Sequence, residues 1–208
     1  TIDHTGPMAR TVADVALLLE VIAGPDGLDP RQHAGLQGQA YTQALSGNVH
    51  GLRLGIVQEG FGWQELSEKD VEESVTESAQ AFTRLGAEVK TVSIPWHRDG
   101  RHILNAILME GATALVAQGN SMGTNWKGHY TTSLLDAYAR GQQTRADDLS
   151  ETVKLIVMLG RYMQDKYHGR YYAKAQNLSR SLTAAYDRAL QECDLLVMPT
   201  VPLKATRI

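Results

Sequence analysis

The chain is poor in the residues that mark several common classes of protein. It has one cysteine in 208 residues, Cys193, which excludes an internal disulfide and fits a reducing compartment such as the cytoplasm. No run approaches the roughly 20 apolar residues that span a bilayer, and no charged start followed by an apolar core indicates a signal peptide. The net charge is −3 without a dense run of lysine or arginine, so we expect no nucleic-acid partner and no membrane partner.

The motifs of metal and nucleotide sites are missing as well. Seven histidines occur, but none pairs with another at a spacing of four residues. The nearest pair, His97 and His102, is more simply interpreted as polar groups beside Trp96 than as ligands of a shared metal. The glycines form neither Gly-x-Gly-x-x-Gly after a strand nor a Walker loop. We therefore expect no metal and no cofactor.

One local match to a catalytic motif needs weighing. Residues 119–123 read Gly-Asn-Ser-Met-Gly, which fits the Gly-x-Ser-x-Gly pattern that places a serine on a strand-to-helix turn in α/β-hydrolases. The preceding residues 111–118 have the composition of a helix rather than of a strand. We interpret Ser121 as part of a small-residue loop, and a nucleophilic serine there is the alternative.

The first segment predicts a helix with clear boundaries. Thr11 and Asp14 fit a capping box, in which the hydroxyl accepts from a first-turn N–H and the carboxylate reaches back. Gly24 and Pro25 end the helix. We expect it to be buried through an apolar face with helical spacing, formed by Val12, Val15, Leu18, Leu19 and Ile22.

The next segments predict a β-α-β unit. A polar connection over 24–48, with a short helix over 40–45, leads to an apolar strand over 52–57. Ser67 begins a helix, and a second strand follows over 88–94. A crossover of this kind favours parallel strands with the helix on one face of the sheet.

The second half of the chain is predicted to be mostly helical. We expect a helix over 101–118, an irregular polar insertion over 119–145, a helix beginning at Ser150, a long helix over 166–191, and a strand over 194–198. Three tyrosines at helical spacing predict packing in the core or in an interface, and these are Tyr167, Tyr171 and Tyr172.

Several segments, in the same order along the chain, resemble the amidase signature hydrolases. Residues 3–14 read Asp-x-x-Gly-Pro-Met-Ala-Arg-Thr-Val-Ala-Asp, which is similar to the segment that follows the nucleophile loop of that family. The stretch 51–96 is most similar to bacterial amidases that partner nitrile hydratases. The other matching segments are Ile22–Asp26, Asp29–Arg31, Gly51–Val57, Gly86–Val89, Met158–Gly160, Tyr171–Gln176 and Asp194–Thr200.

The resemblance implies an α/β fold and the hydrolysis of amides, and it implies that the catalytic triad lies outside this chain. The fold would be part of the amidase signature fold, a mixed β-sheet covered by helices on both faces. The activity would be hydrolysis of a small carboxamide to a carboxylic acid and ammonia by a Ser-Ser-Lys triad, without a cofactor. Those triad elements lie N-terminal to the segment seen here, and no Gly/Ser-rich loop or suitably placed lysine occurs in this chain. No catalytic residue is assigned, and we expect the fragment alone to be inactive.

The resemblance also implies an organisation. Residues 1–208 would form a single partial domain. Its parts would be 1–50 with a helix and a connection, 51–95 with the β-α-β unit, 96–147 with a helix and the insertion, and 148–208 with helices and a returning strand. A homodimer is among the assemblies left open.

Two residues are candidates for substrate contact. Ile2 lies on the segment that, in similar amidases, leads past the active site, and core packing is an equal alternative. Leu104 occupies a position where similar amidases carry a larger aromatic side chain facing the substrate, which implies a roomier pocket here. Glutamine amidotransferase relatives have an Arg-rich pair where this chain has 154–157, Lys-Leu-Ile-Val, which counts against recognition of glutamine by a guanidinium. A non-catalytic binding or scaffold domain derived from the same fold is the alternative to an amidase.

Overall fold

The computed structural model describes residues 5–28, 32, 35–124 and 128–206. They divide into two compact units, each described by itself below. The helical unit comprises Thr1–Gly47 and Leu108–His168, and the sheet unit comprises Asn48–Ile107 and Gly169–Ile208. The helices are α1 (Val12–Ile22), α2 (Lys69–Ala81), α3 (His97–Ala112), α4 (Thr132–Arg145), α5 (Glu151–Tyr167) and α6 (Arg170–Glu192), and the strands are β1 (Arg53–Val57), β2 (Glu88–Val92) and β3 (Leu195–Val197).

The sheet unit is built on a three-stranded parallel sheet in the order β2-β1-β3. The register places Leu54 of the middle strand between Val89 and Leu195. The predicted α/β class and the β-α-β unit are confirmed, because α2 connects two neighbouring parallel strands. The sequence predicted a mixed sheet, and all three strands that the structure describes run parallel.

The core of the sheet unit lies between the sheet and α6. Val57, Ile94 and Ala185 form its buried centre, with Val92 and Leu196 packed against them. Val57, Val92 and Leu196 share one face of the sheet, because side chains alternate along a strand and register partners point the same way. The alternate residues of β1 face the other side, where α2 contacts this strand.

A glycine in the middle strand sets how closely the neighbouring strands and helix approach. A Cβ added at Gly55 would lie 2.8 Å from the Sγ of Cys193, 3.0 Å from Leu196 and 3.1 Å from Val92. These distances are too short for an unstrained side chain, so only glycine fits here. Cys193, which lies against this glycine, is 1% exposed, and its thiol is free.

An ion pair fastens the start of β3 to the start of β1. The Asp194 carboxylate accepts from the backbone N–H of Arg53 at 2.9 Å and from two guanidinium nitrogens of the same residue, at 3.2 Å and 2.7 Å. The side-chain hydrogen bonds from Arg53 and the bond from its backbone lower the pKa of Asp194 to about 2.

The helical unit begins with the capped helix that the sequence predicts. Thr11 Oγ1 accepts from the N–H of Asp14 at 3.1 Å, and the same hydroxyl donates to the Asp14 carboxylate at 2.8 Å. The prediction that α1 is buried is wrong. Val12 is 70% exposed and Val21 is 78% exposed, and in this helix only Ala16 is buried. The apolar residues of α1 lie on all of its sides, and the described chain covers only one side.

Helix α5 packs closely against the C-terminal end of α3, with Gly160 at the point of contact. A Cβ added at Gly160 would clash with the backbone carbonyl of Met109 and with Oγ1 of Thr113. Thr113 is 1% exposed and donates to the carbonyl of Val157 at 3.3 Å, and Gln164 donates to the carbonyl of Glu110 at 3.2 Å. At this contact α3 continues as a wider, π-helical segment, Thr113–Gln118.

Several boundaries differ from the sequence prediction. Helix α2 begins at Lys69 instead of Ser67, and α3 begins at His97 instead of residue 101. The region 119–145 was predicted to be irregular, and that prediction is wrong for its second half, which forms α4 without a strong apolar stripe. The long helix predicted over 166–191 begins only at Arg170, because His168 and Gly169 both adopt positive φ values and end α5. Within the described residues, none of the helices has the length and apolar character needed to cross a membrane.

The first prediction concerns the crossing of α5 and α3. Gly160→Ala should lower the free energy of unfolding by about 1–3 kcal/mol, because the new methyl group meets a backbone carbonyl that cannot move aside. Urea denaturation followed by circular dichroism measures this. Gly141→Ala in α4 is the matched control, since nothing lies within 4 Å of its added Cβ, and it should raise stability by about 0.5–1 kcal/mol. Equal effects of the two substitutions would contradict the close crossing.

The second prediction concerns the Arg53–Asp194 pair. The pKa of Asp194 falls from 3.8 to about 2 on folding, so its contribution to stability is complete above pH 3.8 and is lost as the pH falls towards 2. Asp194→Asn should therefore destabilise the chain above pH 3.8 and have a smaller effect as the pH approaches 2. Urea midpoints measured across this range test it. Asp165→Asn, which removes a carboxylate from an exposed pair within α5, serves as the control.

Candidate functional site

The carboxyl ends of β1 and β2 meet at one edge of the sheet, which is the place where ligands bind in many α/β proteins. The chain leaves β1 towards α2 on one face of the sheet. It leaves β2 towards α3, which lies beside α6 near the other face, as the contact of Gly100 with Leu182 shows. Neighbouring parallel strands whose connections diverge in this way form a topological switch point, the usual place for a site.

A carboxylate bridges the two loops that follow these strands. Glu59, just after β1, accepts from Ser93 Oγ at 2.6 Å and from the N–H of Ile94 at 2.6 Å, both just after β2. Partial burial alone would raise the pKa of Glu59, but the hydrogen bonds from these two partners outweigh it and the pKa lies below its usual value. Glu59 therefore bridges the two loops as a carboxylate.

An imidazole and a phenol connect this edge of the sheet to α6. Nδ1 of His97 and the hydroxyl of Tyr186 are 2.6 Å apart, and the edge of the His97 ring packs against Trp63. Burial lowers the pKa of His97, the positive charge of Arg98 lowers it further, and Glu59 opposes both. Burial also raises the pKa of Tyr186. A neutral imidazole hydrogen-bonded to a phenol is the resulting state.

Arg98 completes this polar cluster. Its guanidinium lies 4.3 Å from the centre of the Trp63 ring and donates to the carbonyl of Phe61. The partner of His97 is a phenol rather than a serine hydroxyl, so the cluster does not have the geometry of a Ser-His nucleophile pair. Glu59 and Arg98 bond to the loops, and His97 bonds to Tyr186, so the cluster ties these loops to α6.

The third strand contributes to the same edge of the sheet. Gly60 lies against Met198, and a Cβ added at Gly60 would lie 2.6 Å from the Cβ of that methionine. The chain after β3 then returns to the start of α2, where Lys204 Nζ binds Glu68 at 2.9 Å and Asp70 at 2.5 Å. These contacts hold the carboxyl ends of β1 and β3 together.

The sheet unit has a cavity of about 540 Å³ at the amino ends of β1 and β2, beside Arg53, Glu88 and Lys90, and a groove of about 430 Å³ between α3 and α6. We call this groove the α3–α6 groove. Its floor is apolar and includes Ile103 and Ala175, which are 6% and 4% exposed. The other residues that line it are Trp96, Asp99, His102, Ala106, Tyr171, Lys174 and Leu178.

The structure separates the residues that the sequence singled out. Ile2 lies outside the described residues. Leu104 is 44% exposed on α3 and is not among the residues that line the α3–α6 groove. His97 lies in the polar cluster and His102 lines the groove. No group of three or more His, Cys, Asp or Glu side chains suited to a metal ion occurs among the described residues.

The Gly-x-Ser-x-Gly match has helical structure before it. Residues 97–118 are α-helix and then π-helix, so Ser121 does not follow a strand as the serine-elbow motif requires. Asn120 and Ser121 have φ values of 47° and 73°, and the N–H of Ser121 donates to the carbonyl of Val116 at 3.2 Å. Ser121 therefore belongs to the turn that ends this helix.

Sequence reasoning did not find the polar cluster. Glu59 and Ser93 are 34 residues apart, and His97 and Tyr186 are 89 residues apart. The available signal was the placement of polar residues directly after two predicted parallel strands, because the carboxyl ends of such strands meet at one edge.

Comparison with known proteins identifies the family. The amidase family model matches residues 1–208, which is the whole chain. The chain belongs to the amidase family. An enantioselective amidase from Rhodococcus rhodochrous is 42% identical over 210 residues, covering 100% of this chain and 40% of that protein. A subunit of the glutamyl-tRNA(Gln) amidotransferase from Geotalea daltonii is 32% identical, covering 100% of the chain and 42% of that protein.

Solved structures confirm the amidase signature fold. A bacterial aryl acylamidase of the amidase signature enzymes superposes with a TM-score of 0.70 at 19% identity, over 97% of this chain and 37% of that one. The corresponding amidotransferase subunit from Thermotoga maritima gives a TM-score of 0.62 at 22% identity, over 98% of this chain and 38% of that one. The amidase chain thus spans about two fifths of the length of the curated relatives it matches.

The third prediction concerns His97. An unfolded histidine takes up a proton near pH 6.5, whereas His97 in the folded chain does so at lower pH. The contribution of neutral His97 to stability is therefore complete above pH 6.5 and falls as the pH drops through the lowered pKa. Titration of the His97 ring by NMR should show that lowered pKa, and His97→Gln should reduce the loss of stability on acidification. An unchanged acid response in His97→Gln would contradict it.

Proposed function

We propose that this chain is part of an amidase that hydrolyses carboxamides to carboxylic acids and ammonia. The observation that carries the proposal is the match of the whole chain to the amidase family together with 42% identity to an enantioselective amidase. By this proposal a Ser-Ser-Lys triad lies in the polypeptide that precedes the matching segment. A reducing cytoplasm suits the single free thiol, Cys193.

The chemistry divides between this chain and that polypeptide. A serine hydroxyl becomes a nucleophile when a base removes its proton, and backbone N–H donors must stabilise the oxyanion of the tetrahedral intermediate. Ammonia then leaves, and water hydrolyses the acyl-enzyme. In this proposal the 208 residues supply sheet strands, helical cover and part of the wall of the acyl pocket.

The exposed surface supports a larger parent protein. The chain of 22.8 kDa exposes 15228 Å². A compact protein of that mass exposes about 9,600 Å², and even two separate compact bodies of half the mass would expose only about 11,500 Å² together. The chain exposes more surface than either reference, so its extra exposed area does not depend on how the two units are arranged. Apolar side chains such as Val21 and Met158, which are 78% and 70% exposed, contribute to it.

A glutaminase role on tRNA receives less support. Where glutamine amidotransferases carry an Arg-rich pair, this chain has Lys154, whose ammonium binds Glu151 at 3.2 Å and the carbonyl of Asp147 at 3.0 Å. An ammonium held in this way does not offer the planar fork of a guanidinium. We therefore favour a simple carboxamide as substrate.

The fourth prediction tests the function. A parent protein extended through the upstream lysine strand and Gly/Ser-rich loop should release ammonia from acetamide, propionamide or benzamide, whereas the 208 residues alone should not. Failure of an extended, folded protein on every amide would favour the scaffold alternative. Turnover by the isolated chain that Ser121→Ala abolishes would instead establish the serine that we interpret as a turn residue.

The fifth prediction concerns the acyl pocket, in which we propose Ile2 and Leu104 as contacts. In the active parent, Leu104→Phe should lower kcat/KM for benzamide about 10-fold or more relative to acetamide, because the larger ring fills space that a bulky acyl group needs. Leu190→Phe in α6 is the matched control, since both leucines are 44% exposed. An equal change for both amides in Leu104→Phe would remove Leu104 from the pocket.

A further inference from the structure

We draw no further inference here: the strongest candidate, the α3–α6 groove with its apolar floor of Ile103 and Ala175, is a surface of the sheet unit, and nothing in the structure shows what covers it.

Discussion

The sheet unit depends on the absence of a side chain at Gly55. Because this residue has no Cβ, the side chains of Cys193 and Leu196 can pack directly against the backbone of the middle strand. The close approach puts the end of α6 and the start of β3 beside β1, where Asp194 reaches both the backbone and the guanidinium of Arg53. At the carboxyl ends of β1 and β2, Glu59 bridges to Ser93. The close packing at Gly55 thus lies between the polar contacts at the two ends of the sheet.

In the helical unit a glycine again allows close packing, but fewer apolar side chains around it are buried. Gly160 lets α5 contact the carbonyl of Met109 directly, and Thr113 uses its hydroxyl to hold the crossing. Away from this crossing the apolar residues of α1 and α5 lie largely on the surface. A helical unit with one close crossing and so much apolar surface fits a part of a larger protein core. The sheet unit, in contrast, has a buried cluster of its own around Val57 and Ile94.

The sequence predicts well those features that neighbouring residues determine. The cap at Thr11, the strand ending at Val57 and the cap at Ser150 all depend on residues within a few positions, and the structure has each of them. The second bond of the predicted capping box differs, because the Asp14 carboxylate accepts from the Thr11 hydroxyl and not from its backbone N–H. The burial of α1 could not be predicted, because it depends on what lies beside the helix rather than on the spacing within it. Helix α4 was missed since its apolar residues form no clear stripe. The polar cluster was missed because its partners come together only when the sheet forms. The family resemblance identified the fold, and the substrate contacts at Ile2 and Leu104 remain predictions.

The burial of Cys193 has a practical consequence. Its thiol is the only one in the chain, it lies against the middle of the sheet, and it is 1% exposed. A thiol reagent can reach it only when the end of α6 and β3 move away from β1. The rate of its alkylation therefore reports how often this sheet opens, through chemistry at a single atom and without any added label.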